Sequence, residues 1–473
     1  MMQRNRLIVG ILAGLLGGIV AGLLHSPSYG WGVHLGAMVV LGALFVLSLG
    51  HNIRSAGSGL IWGQAFGLIW WLFGGLTLLP LLFGDGLQWS ISAIQANFAT
   101  LLADVLGFGA FLGLVTACLS SFLPIRAAQE EMPNNRPISD NIIPPLARAL
   151  LTGGISGVVG AWVFLWGVES AEFFPLVSAI TGSDSTMVGG VLHYAIGITI
   201  ALTFALLFYR DIQGNGSAII WGMSYGLLWW IIGPLTLMPF LTGLPIEWTI
   251  AAAQSAFAPL VAHLLYGAVV GFVYALLNRI WQLLFIDSDP ILRSQEGAGS
   301  RALRSVMQGQ VGGVVGGVLF TVIMVGIGAL PDVASLIGAR SAVAGFIVHL
   351  LIAVTIGSTF GLFFQRVVTS YGTGLGWGLS YGLLWWLLGP LTLFPALLRQ
   401  PVDWTIMNSV ALYPALVGHL LYGVGLGVMY WFLIERNTVA TEQTRVPNRV
   451  FADSAMWATT LLIVVILPLL LAS

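Results

Sequence analysis

Three stretches decide the reading: IWGQAFGLIWWLFGGLTLLPLL at 61–82, IWGMSYGLLWWIIGPLTLMPFL at 220–241 and GWGLSYGLLWWLLGPLTLFPAL at 376–397. Each is apolar, each carries a Trp-Trp pair, and each ends in a Leu-Thr-Leu segment followed by proline. The register extends outward without a gap. Equal steps from Trp62, Trp221 and Trp377 reach Trp89, Trp248 and Trp404, then Asp104, His263 and His419. An equal step backwards reaches His34, His193 and His349. Self-similarity at a fixed period is the mark of a copied structural unit, so the chain reads as a triplication.

Composition sets the solvent. Apolar residues make up 58% of the 473 residues and charged residues 7%, against about 25% charged in a soluble domain. So few charges cannot cover a water-facing surface, but lipid solvates apolar side chains directly. A spanning helix needs roughly 20 mostly apolar residues. Thirteen segments qualify: 7–25, 32–50, 60–83, 93–121, 149–167, 187–208, 218–241, 251–277, 308–328, 343–364, 375–397, 407–433 and 455–472. The expected fold is an all-α polytopic transmembrane bundle of about 13 helices, built as three tandem parallel four-helix repeats plus one C-terminal helix. The start, Met1-Met2-Gln3-Arg4-Asn5-Arg6 and then an apolar run, reads as an uncleaved first helix because many spans follow.

All 17 basic residues are arginine. With the N-terminus inside, Arg4, Arg6, Arg54, Arg126, Arg136, Arg148, Arg210, Arg279, Arg293, Arg301, Arg304, Arg366, Arg436, Arg445 and Arg449 fall on the inner side, and only Arg340 and Arg399 outside. The positive-inside rule then sets a cytoplasmic N-terminus and an outer C-terminus. A net charge of −1 offers no basic face for nucleic acid. The single cysteine, Cys118, permits neither an internal disulfide nor a cysteine-based zinc site.

The units divide as 1–121, 148–277 and 306–434, with a last helix at 455–473. Polar linkers join them at 122–147, 278–305 and 435–454. Four spans per unit insert every copy with the same sense, so the copies are related by an axis along the membrane normal, as a ring or as a row. Copy one departs from the others. It has a short loop before its second helix, Gly75 in place of the GPLTL proline, and Asp104 in place of histidine. Glycines at four-residue spacing, among them Gly10, Gly14 and Gly18, and Gly267 and Gly271, are expected to make tight helix contacts within and between units. Trp89, Trp248 and Trp404 read as an interfacial aromatic belt.

Ionisable and polar groups at membrane depth are costly and face protein or a wet cavity. The candidates are His34, His193 and His349 on each second helix, Thr77, Thr236 and Thr392 on each third, and Asp104, His263 and His419 on each fourth, with Tyr266 and Tyr422 one turn further. Pro234 and Pro390 cannot donate to the carbonyls of Trp230 and Trp386, which adds backbone acceptors at similar depth. These groups can form one polar site per unit for a proton, cation or small solute, or they can hydrogen-bond one another structurally. A third reading is b-type haem between His193 and His263, and between His349 and His419. No unit supplies three clear metal ligands. No P-loop, nucleophile elbow or HExxH is present, so an enzyme is not expected.

The order of a second-helix His, a Trp-Gly entry to the third helix, a proline at its exit, and a His in the fourth resembles the YagU-like bacterial inner-membrane proteins. The matching positions are His193, Trp221, Pro239 and His263, and His349, Trp377, Pro395 and His419; copy one matches at His34, Trp62 and Pro80 but departs at Asp104. The resemblance implies one four-helix protein per unit over most of 7–433, a bacterial inner-membrane location and a link to acid resistance, without a defined reaction. Transport through the polar sites and a structural or accessory role in a membrane complex, with other copies or with another subunit, both remain open. The lipid bilayer is the one partner that both require.

Overall fold

The computed structural model describes residues 2–27, 30–123, 125, 145–168, 170–209, 211–212, 214–285, 298–438 and 449–472. Of the described residues 85% are helical and none is in a strand. Twelve helices there are long and apolar enough to cross a membrane. Unit one holds α1 (Met2–Leu24), α2 (Trp31–Leu49), α3 (Ala56–Phe83) and α4 (Phe98–Leu119). Unit two holds α5 (Pro145–Phe164), α6 (Thr186–Phe208), α7 (Asn215–Leu241) and α8 (Phe257–Phe285). Unit three holds α9 (Ala298–Gly326), α10 (Ala342–Phe364), α11 (Tyr371–Leu397) and α12 (Tyr413–Thr438). The protein is an integral, multi-pass membrane protein.

The thirteenth expected span is a helix, α13 (Arg449–Leu471), but only Ala458–Leu471 counts as apolar among its described residues, which is short for a full crossing. The helices also run into the expected linkers. α8 continues to Phe285, α9 begins at Ala298 and α12 continues to Thr438. The linker cores at 126–144, 286–297 and 439–448 lie outside the described residues, as do Arg126, Arg136, Arg210, Arg293 and Arg445.

Glycine decides the packing inside each unit. A Cβ on Gly113 would overlap the carbonyl oxygen of Gly59; one on Gly222 would overlap that of Gly267, and one on Gly378 that of Gly423. The third and fourth helices of every unit therefore touch backbone to backbone, where dispersion is strongest without a hydrophobic drive. Gly10 and Gly14 meet α2, Gly157 meets α6, and Gly309 and Gly313 meet α10. The expected glycine stripes thus work within units. Contacts between units use other glycines: Gly57 against Leu207 and Phe208, and Gly216 against Phe364.

One apolar core runs through all three units and α13, from Leu60 and Trp71 through Trp221 and Trp230 to Trp377, Trp386 and Leu462. A smaller core holds α1 and α2 to unit one, around Phe45, Trp62 and Phe108. α13 touches α3, α7 and α11, the third helix of every unit. It also touches the three short helices Ile91–Ala96, Ile250–Ser255 and Ile406–Ala411. Ala458, Leu461, Leu462, Val465, Ile466, Leu469 and Leu470 bury more than half of its circumference. Two polar ties fix its height. Thr459 Oγ1 donates to Gly376 O at 3.0 Å and meets Ser380 Oγ, while Gln254 Nε2 donates to Leu469 O at 2.8 Å. The last carbonyls of a helix lack intrahelical donors, so Gln254 satisfies one of them.

Candidate functional site

The third helix of each unit changes pitch. α3 is a π-helix over Trp71–Leu78, α7 over Gly233–Leu237 and α11 over Gly389–Leu393. Proline does not explain this alone, because unit one has Gly75 there and a longer π segment. Threonine is common to all three. Thr77 Oγ1 donates to Leu72 O at 2.8 Å, Thr236 to Ile231 O at 2.7 Å and Thr392 to Leu387 O at 2.7 Å, each reaching back five residues. The acceptor is the residue after Trp230 or Trp386, not the carbonyl that the proline deprives.

The same hydroxyl also accepts. Trp89 Nε1 donates to Thr77 at 2.9 Å, Trp248 to Thr236 at 3.1 Å and Trp404 to Thr392 at 3.0 Å. The belt reading of these tryptophans is thereby corrected. Trp248 and Trp404 are 7% and 1% exposed and latch the loop onto the π segment; only Trp89, at 62%, is open. In the Trp-Trp pairs, whose indole N–H groups the sequence reading assigned no partner, a second set of bonds forms. Trp71, Trp230 and Trp386 donate to Asn97 O (3.3 Å), Ala256 O (2.8 Å) and Leu412 O (3.1 Å), where the chain breaks before each fourth helix. Their constant register was the available signal.

The second-helix histidines are committed likewise. A carbonyl only accepts, so His34 Nε2–H donates to Gly18 O at 2.8 Å, His193 to Ala161 O at 2.9 Å and His349 to Gly317 O at 3.0 Å. Each ties the second helix to the first. The tyrosines tie the fourth helix to the second: Tyr266 Oη donates to Gly197 O, and Tyr422 Oη to Ala353 O at 2.7 Å. Between second and third helices, Thr203 meets Tyr225 at 2.8 Å and Thr359 meets Tyr381 at 2.6 Å. These groups are not gathered into one polar chamber. They are distributed as cross-ties between helix pairs.

The fourth-helix position differs. His263 Nδ1–H donates to Pro259 O at 2.7 Å and His419 Nδ1–H to Ala415 O at 2.7 Å, both on their own helix. Their Nε2 atoms have no hydrogen-bond partner among the described residues, and both rings are half-buried. Each ring is near a phenylalanine of the first helix and a glycine of the π segment. The Phe164 and Phe320 centroids are 5.0 and 4.6 Å away. Phe164 also meets His193 at 5.3 Å and Phe320 meets His349 at 5.1 Å. A phenyl ring therefore separates each histidine pair, and the partner histidine's Nε2 is already bonded. That leaves no opening for a porphyrin between them in this arrangement. Asp104 stands at the same register in α4, half-buried in a π segment, Ala103–Ala110. Its carboxylate has no hydrogen-bond partner among the described residues, and no histidine reaches it.

Asp211 was not singled out in the sequence. It is buried between units one and two and accepts from Ser55 Oγ, the N-cap of α3, at 2.5 Å. Asn52 and Val367 hold its register in the other units, so only the break in the pattern marks it. Among the described residues, no group of three His, Cys, Asp or Glu side chains could hold a metal ion. No family model, curated protein or solved structure matches this chain.

Proposed function

We propose that this protein is a membrane-embedded structural or accessory subunit, with its polar residues serving to align helices. One observation carries this reading. His34, His193, His349, Thr77, Thr236, Thr392, Tyr266 and Tyr422 each commit a polar atom to a helix carbonyl inside the bundle, and the three threonines also accept an indole N–H. The space where the third helices converge, which a shared conduit would need, is taken by α13. The arginine distribution supports a cytoplasmic N-terminus. The likeness to small bacterial inner-membrane four-helix proteins supports that membrane as its site.

The test is flux. Proteoliposomes holding the full chain and a pH-sensitive dye should leak protons no faster than empty vesicles, and His263→Ala with His419→Ala should change nothing. Proton flux above the empty-vesicle rate that the double substitution abolishes would overturn the structural reading in favour of transport.

A second reading, uptake of a proton or small solute, has its own support. At positions 263 and 419 the open ring nitrogen is Nε2, beside Phe164 or Phe320, and Asp104 at the same register has no hydrogen-bond partner among the described residues.

A further inference from the structure

We infer that the fourth-helix position of units two and three is a binding slot for a small cationic hydrogen-bond donor of the ammonium type. The argument begins with the imidazole. Because Nδ1 carries the proton donated to Pro259 O or Ala415 O, Nε2 of His263 and His419 presents a lone pair. Nothing in the protein donates to it among the described residues, and each ring is half-buried rather than sealed. An acceptor left open in an apolar setting is costly unless something fills it.

The walls narrow the chemistry. Gly233 and Gly389 stand in front of the two imidazole edges. A Cβ there would come within 3.8 and 3.5 Å of Nε2, so glycine keeps that wall bare. Phe164 and Phe320 pack beside the imidazoles, and aromatic faces attract cations. The groups facing His263 from the packed helices are Phe164, His193 and the Gly233 backbone. His193 Nε2 is turned away to Ala161 O. Unit one carries a carboxylate, Asp104, at the same register, again an acceptor without a donor. Three units thus keep an acceptor at one position while the side chain itself changes from carboxylate to imidazole. What is preserved is the ability to receive a hydrogen bond, which selects a donor ligand. The phenylalanines of units two and three favour positive charge; unit one has Ala21 at that register. This goes beyond a structural role and does not depend on transport.

The probe is methylammonium chloride, titrated calorimetrically into the full-length protein in nanodiscs, with tetramethylammonium and sodium chlorides as controls. Tetramethylammonium carries the charge but no N–H. Saturable methylammonium binding is expected, with no tetramethylammonium or sodium response. His263→Leu with His419→Leu should weaken it at least about tenfold, while the His→Gln pair, which keeps an acceptor, should stay within about threefold. Should the Leu pair fail to fold, the single substitutions His263→Leu and His419→Leu are titrated separately, and each should remove one of the two sites. No saturable binding, equal binding of tetramethylammonium, or undiminished binding to the Leu pair would each overturn the assignment.

Discussion

Units one and three solve the same packing problem differently. In unit three, Phe320 fills the space between His349 and His419, and Tyr422 crosses from α12 to the Ala353 carbonyl. Thr359 and Tyr381 add a second tie. In unit one the same registers hold Ala21, Gly107, Leu44 and Phe66. The aromatic wedge, the tyrosine bridge and the Thr–Tyr pair are all gone. The backbones come together instead: a Cβ on Gly107 would lie 2.9 Å from Ala21 Cα. α4 accommodates this with a π segment that α8 and α12 lack. What both units keep are the ties common to all three copies: His to a first-helix carbonyl, Thr back to the carbonyl five residues before it, and Trp to Thr. The comparison separates ties that define the fold from ties that tune it.

The sharpest way to break this contrast is to graft unit three onto unit one. Gly107→Tyr puts a phenol where backbone atoms already sit. It should cost about 4 kcal/mol or more, read as loss of monodisperse protein on gel filtration. A well-behaved variant would show that α1 and α4 are not in backbone contact. The reverse trim is milder. Tyr422→Phe removes one buried interhelical hydrogen bond and should lower stability by about 0.6–1.5 kcal/mol, measured as a small drop in thermal midpoint in one detergent. An unchanged midpoint would make the tyrosine bridge ornamental. The smallest effect should have the opposite sign. Asp104→Asn removes a half-buried carboxylate that has no internal donor, so the midpoint should hold or rise slightly, by about 1 kcal/mol at most. A clear fall would reveal a partner for the carboxylate that the described residues do not supply.

Much of the architecture is legible in the sequence, because helix length and apolarity at membrane scale leave few alternatives. Trp62, Trp221 and Trp377 fix the register, and every residue suspected from it takes part in an interhelical or π-segment contact or stands at an unfilled position. The acceptors are less visible. Ala161 O, Gly317 O and Leu387 O are backbone atoms, and no side-chain pattern announces which carbonyl a histidine or threonine will reach. Of the two arrangements the sequence left open, a polar site in each unit or structural hydrogen bonds, the histidines, threonines and tyrosines make the bonds described above. The thirteenth helix shows the same limit. Its apolarity reads as one more span, whereas its contact with all three third helices depends on tertiary geometry alone. Asp211 is legible only as an exception, a carboxylate where Asn52 and Val367 stand in the other units.

The position of α13 bears on how the molecule is made. Synthesis runs from the N-terminus, so twelve helices enter the bilayer before the one that joins their inner faces. Until then α3, α7 and α11 expose the surfaces that Leu461, Leu462, Val465 and Leu469 later cover. The faces of α3, α7 and α11 that α13 covers are therefore the last apolar surfaces of the described bundle for which the chain supplies a partner.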